Sequence, residues 1–157
     1  MKTIYDWLEA YGESHQNLTN KKIHWICVPV IILTLLGLLS LVKFNFNINE
    51  QTYNINLASI LIFLAIIFYI RLSISITVGM LLFSGTCIWF INNFEATYSN
   101  CTLFISYIII FIIAWIGQFI GHKIEGKKPS FFEDIQFLLI GPAWLLSFIY
   151  KKIGIKY

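Results

Sequence analysis

INLASILIFLAIIFYIRLSISITVGMLLFSGTCIWFI, residues 55–91, is the stretch on which the fold turns. Two apolar runs, 55–70 and 72–91, are parted by one charged residue, Arg71. Crossing the hydrocarbon core of a bilayer takes about 20 consecutive apolar residues. The second run meets that length, whereas the first is short and must tilt little or thin the bilayer. With only Arg71 between them, the two read as a tight helical hairpin inside a membrane.

Two further runs, 23–42 and 103–120, flank this hairpin and bring the expected spanning helices to four. A fifth run, 135–150, is about 16 residues long and is broken by Gly141-Pro142. That fits a re-entrant or kinked segment as well as a fifth span. Composition agrees: 58% of the residues are hydrophobic and 12% charged, where a soluble domain carries about a quarter charged. The expected fold class is all-α, a polytopic membrane helix bundle forming a single membrane-embedded domain over residues 1–157. Residues 1–20 precede the bundle as an interfacial helix and turn. There Ile4, Trp7, Leu8 and Tyr11 fall at i, i+3, i+4 and i+7, an amphipathic stripe suited to a membrane surface. QNLTN, residues 16–20, supplies the turn, and Thr19-Asn20 can cap the first spanning helix at Lys21. Asp6, Glu9 and Glu13 in this segment argue against a cleavable signal peptide.

The net charge of +3 is modest, and the lysines sit in short clusters beside apolar runs, as membrane flanks do. That pattern points to membrane lipid as a partner and not to nucleic acid, and nothing in it indicates a homo-oligomer. Lys21, Lys22, Arg71, Lys123, Lys127 and Lys128 fall at one set of helix ends, while loops 43–54 and 92–102 hold only Lys43, Glu50 and Glu95. Positive residues favour the cytoplasm, so the N-terminus, Arg71 and the 122–134 loop are placed inside. A full crossing by 135–150 would carry Lys151, Lys152 and Lys156 outside, which favours a re-entrant segment. The three cysteines, Cys27, Cys87 and Cys101, form no CxxC pair and read as buried inert thiols.

The chain has three histidines, His15, His24 and His122, and this topology puts all three at the cytoplasmic interface. His15 and His24, nine positions apart, would face opposite ways on one straight helix. The turn at 16–20 can let them meet. Within QFIGHKIEGKKP, residues 118–129, Gln118, His122 and Glu125 share one helix face. A His-x-x-Glu pair can present an imidazole nitrogen and a carboxylate oxygen to one ion. Three imidazoles and a carboxylate suit Fe(2+), Zn(2+) or Mn(2+), with no thiolate to favour a softer metal. The competing reading is a set of interfacial histidines satisfied by headgroups and helix ends, in a lipid-binding or scaffolding protein. Tyr11, Asn20 and Gln118 are candidates to orient the histidines by hydrogen bonding. Lys127 and Lys128 are candidates for headgroups or a lipid carboxylate. Gly117 and Gly121 form a small-xxx-small step suited to close helix contact.

YGESHQNLTNKKIHWICVP, residues 11–29, followed by QFIGHKIEGKKPS, residues 118–130, resembles the 2-hydroxy fatty acid dioxygenases. These are small polytopic membrane proteins of fungal phytosphingosine breakdown, with many bacterial relatives. The family pattern is met by Tyr11, His15, Asn20, His24 and Pro29, then by Gln118, Phe119, Gly121, His122, Glu125, Gly126 and Pro129. Gly141-Pro142 also resembles the proline in the family's final apolar segment. Cys27 and Ser130 depart from the family's glycine and alanine, which touches packing and not the ligand set. The resemblance implies an oxygenase dependent on Fe(2+), taking a 2-hydroxy fatty acid and dioxygen and shortening the acyl chain by one carbon. It implies His15, His24 and His122 as catalytic metal ligands, with Glu125 a fourth ligand or an orienting group. Tyr11, Asn20, Gln118, Lys127 and Lys128 are the expected substrate-side residues. The expected location is the cytoplasmic face of a bacterial inner membrane, or of the endoplasmic reticulum in a eukaryote.

Overall fold

Thr3 opens the first helix. Its hydroxyl accepts from the Asp6 backbone N–H, while the Asp6 carboxylate accepts from the Thr3 N–H at 2.6 Å. This reciprocal cap satisfies two N–H groups that no helix turn can reach, and its bonds hold the Asp6 carboxyl below its ordinary range. The computed structural model describes residues 2–48, 51–126 and 137–157. Among them run α1 (Ile4–Gly12), α2 (Leu18–Ser40), β1 (Lys43–Ile48), β2 (Gln51–Asn56), α3 (Leu57–Ile70), α4 (Ile74–Thr97), α5 (Asn100–Glu125) and α6 (Ile140–Ile153).

α2, α4 and α5 are long and apolar enough to cross a membrane. α3 is apolar but has 14 residues, so its length of about 21 Å falls short of the ~30 Å hydrocarbon core. Four spans were expected, and the structure has three long ones and this shorter partner. The cause lies just upstream, where β2 runs to Asn56, whose side chain then caps α3 by accepting from the Ser59 N–H at 2.9 Å.

The expected loop 43–54 is an antiparallel hairpin, with Lys43 opposite Asn56 and Phe46 opposite Tyr53. Its sequence, KFNFNI and then QTYNIN, alternates apolar and polar residues with the two-residue period of a strand. The all-α expectation therefore needs this one correction. Most of the expected 92–102 loop is helical, because α4 continues to Thr97 and α5 begins at Asn100. The cap of α2 is Asn17, whose side chain accepts from the N–H groups of Thr19 and Asn20. Thr19-Asn20 thus lie inside the helix, and the Asn20 amide is released for another task.

α6 is held at both ends by hydrogen bonds to residues beside the α3–α4 turn. Just before it, the Leu139 carbonyl accepts from the Tyr69 hydroxyl at 2.5 Å; just after it, the Lys156 carbonyl accepts from Ser75 at 2.7 Å. Tyr69 and Ser75 flank the Arg71 turn, so both ends of α6 are tied to that turn. The Tyr5 hydroxyl donates to the Tyr157 carbonyl, which ties α1 to the same place. Ile4, Leu8 and Tyr11 are buried in a cluster with Ile140, Ala143 and Trp144, so the apolar stripe of α1 is spent on α6.

α2 and α5 share the most extensive helix contact. Glycines let them approach: a Cβ at Gly117 would stand 2.7 Å from Cys27 Sγ, and one at Gly37 would stand 2.6 Å from the Tyr107 ring. A Cβ at Gly121 would collide with Asn20 Oδ1. This close packing sets the spacing of the site at the bundle end.

Candidate metal centre

Three histidines meet where α2 begins and α5 ends. His15 comes from the turn between α1 and α2, His24 from the second turn of α2, and His122 from the last turn of α5. Their residual exposures are 2%, 0% and 6%. One ring nitrogen from each lies within 4.8 Å of the other two, so the set can hold a metal ion.

The chain fixes which nitrogens face inward. His15 Nδ1 bonds the Tyr11 carbonyl at 2.6 Å, and His24 Nδ1 bonds the Asn20 carbonyl at 3.0 Å. Carbonyl oxygens only accept, so the neutral rings carry their protons on Nδ1. The Nε2 lone pairs then point at each other across 2.8 Å. Two lone pairs at that distance repel unless a proton or a cation stands between them. A third imidazole beside them favours the cation, since ligand bonds of about 2.0–2.1 Å put neighbouring nitrogens roughly 3 Å apart. The donor set thus fits a first-row divalent metal bound by imidazoles.

Supporting groups hold the rings. Tyr11 stacks on His15 with ring centroids 4.2 Å apart and planes at 14°, and Trp144 stands 5.2 Å from His15. Glu125 accepts from the backbone N–H of Gln16 at 2.7 Å and of Asn17 at 2.9 Å, and from Asn20 Nδ2 at 2.9 Å. Its carboxylate therefore sits on the positive N-terminal end of α2 and clips α5 to the turn that carries His15. Asn20 also donates to the Ser14 carbonyl at 3.3 Å, closing that turn from within.

Tyr11, Asn20 and Gln118 all gather here, but in different roles. Tyr11 and Asn20 act on the histidines through their carbonyls. Gln118 is buried one turn from His122 and lines a cavity of ≈ 30 Å³ with Tyr11, Val28, Trp115 and Gly141. Lys127 and Lys128 lie outside the described residues. Sequence reasoning missed Trp144; its only signal was an aromatic shortly after Gly141-Pro142, which does not separate a site wall from a membrane anchor.

Apolar helices with a buried cluster of three imidazoles at one end define a membrane-associated protein with a candidate metal centre. The chain belongs to the Mpo1-like family, described as 2-hydroxy-palmitic acid dioxygenase Mpo1-like, whose model matches residues 1–153. It is similar to the 2-hydroxy-palmitic acid dioxygenase MPO1 of Saccharomyces cerevisiae, with 29% identity over 149 residues covering 94% of this chain and 79% of that relative. No solved structure matches the chain.

Proposed function

We propose that this protein is an Fe(2+)-dependent dioxygenase that shortens 2-hydroxy fatty acids by one carbon at the cytoplasmic face of a membrane. The observation that carries the reading is the pair of Nε2 lone pairs 2.8 Å apart, backed by His122 and closed off from solvent. Family membership and the name of the yeast relative support the substrate class. His15, His24 and His122 would hold Fe(2+), which when bound supplies dioxygen activation.

The remaining roles belong to the chain. The Tyr11 and Asn20 carbonyls keep the Nδ1 protons in place, so the rings stay neutral ligands. Glu125, expected as a metal ligand, is assigned here to positioning the turn of His15. Its oxygens accept from Gln16, Asn17 and Asn20, and the converging ligand atoms are those of the three histidines. Gln118 faces the small cavity and is placed to bond the substrate's 2-hydroxyl or carboxylate. Lys127 and Lys128 follow α5 directly in sequence, and their charge would draw the carboxylate to this end. The overall change balances without a further reductant: a 2-hydroxy acid and dioxygen give the acid one carbon shorter, carbon dioxide and water. The acid loses four electrons and dioxygen gains them.

Oxygen uptake by purified protein with Fe(2+) and 2-hydroxypalmitic acid, with product analysis, tests this. Pentadecanoic acid is the expected product, with one carbon dioxide formed per dioxygen consumed, and palmitic acid should give none. Uptake that is absent with every 2-hydroxy acid tried would favour a lipid-binding scaffold.

A further inference from the structure

Two neighbouring cavities lie between Tyr11, which stacks on His15, and the middle of the bundle. The small cavity beside Tyr11 and Gln118 reaches Ile32 and Leu138, and the same two residues line a second cavity of ≈ 180 Å³. The walls of that chamber include Leu36 of α2, Leu61, Ile62 and Ala65 of α3, and Met80 and Ser84 of α4. His24, Val28, Ile32 and Leu36 follow at steps of four, so one stripe of α2 runs from the metal centre past both cavities, about 18 Å.

The chemistry of the chamber is that of a hydrocarbon. Among the described residues none of its lining side chains is charged, and the Tyr69 hydroxyl in its wall already donates to the Leu139 carbonyl. Aliphatic cavities of about 150 Å³ stay dry and take up apolar molecules of matching size. One wall of the chamber is α3, the apolar helix too short to cross by itself.

We propose that this chamber holds the acyl tail of the 2-hydroxy acid, and that α3, through Ile62 and Ala65, sets the preferred chain length. The proposal rests on the dioxygenase reading for the identity of the head group, and on the cavity alone for the position of the tail.

Photolabelling tests the position without metal or turnover. Purified metal-free protein is irradiated with 2-hydroxypalmitic acid carrying a diazirine near its tail end, and adducts are mapped by mass spectrometry. Adducts are expected on Leu61, Ile62, Ala65 or Ser84, and excess unlabelled 2-hydroxypalmitic acid should compete them away. Adducts confined to outward-facing Phe63, Leu64 and Leu82, or labelling that no competitor reduces, would overturn the proposal by assigning the tail to bulk lipid. In turnover, Ala65→Phe should lower the preference for 2-hydroxypalmitic over 2-hydroxyoctanoic acid by about tenfold or more. If that variant fails to fold, Ile62→Ala widens the chamber and should shift preference toward longer acids. An unchanged ratio in a folded variant sinks the chain-length role. Should wild-type protein turn over no 2-hydroxy acid, the dioxygenase reading fails, and the labelling pattern still decides whether the chamber takes an acyl tail.

Discussion

The two ends of the α2–α5 pair both bury polar groups, and they treat them in opposite ways. At the far end the Glu95 carboxylate accepts from Ser40 at 2.6 Å and pairs with Lys43 Nζ at 2.7 Å. Acid, base and hydroxyl satisfy one another there. At the near end three imidazoles converge, and the carboxylate that follows His122 on α5, Glu125, is spent on the N–H groups of Gln16 and Asn17. A cluster of bases whose neighbouring acid is bonded to the turn has ring nitrogens to offer a cation. One end is a structural latch, and the other is a cluster that could hold a metal ion.

The largest expected difference is in turnover. His24→Ala should lower oxygen uptake by more than about a hundredfold while the protein stays inserted, because a ligand is worth at least as much as the groups that orient it. Glu95→Gln should leave uptake within about twofold, since an ion pair with a half-exposed lysine contributes little. Equal losses in both variants would erase the contrast between the ends.

Glu125→Gln comes next and separates positioning from ligation. It removes the charge from the α2 N-terminus but keeps an acceptor, so metal affinity should fall about ten- to hundredfold. Excess Fe(2+) should then restore most of the rate, which it cannot do for His24→Ala. A Glu125→Gln protein beyond rescue by iron would make the carboxylate a ligand after all.

The smallest effect is on stability. Gly37→Ala and Gly121→Ala each force a methyl into a tight contact between α2 and α5, at a cost of about 1–3 kcal/mol. Thermal unfolding in detergent should show similar losses for both. Only Gly121→Ala should also weaken metal binding, because its neighbours are Asn20 and His24, whereas Gly37 meets Tyr107.

Much of this was legible in the chain because the bilayer and the helix impose simple periods. The runs at 55–70 and 72–91 gave two helices joined at Arg71, and the steps between Gln118, His122 and Glu125 put them on one face. The chain does turn between α1 and α2 so that His15 and His24 meet. The turn is residues 13–17, however, and Leu18, Thr19 and Asn20 of QNLTN are already helix. Less was legible where tertiary contacts decide. Helix ends were missed because Asn17, Asn56 and Ser99 cap through hydrogen bonds that hydropathy does not register. The hairpin at 43–56 has a readable two-residue alternation, overlooked because its surroundings are so strongly helical. The engagement of Glu125 was beyond the sequence, since Gln16 and Asn17 lie more than a hundred residues away.

The most direct measurement is metal stoichiometry on protein loaded with Fe(2+) and desalted, together with iron-edge X-ray absorption. Wild-type protein should carry one ion per chain with imidazole nitrogen in its coordination shell, and the triple variant His15→Ala, His24→Ala, His122→Ala should carry none. Wild-type protein without bound metal, or a triple variant that keeps it, would contradict the metal centre.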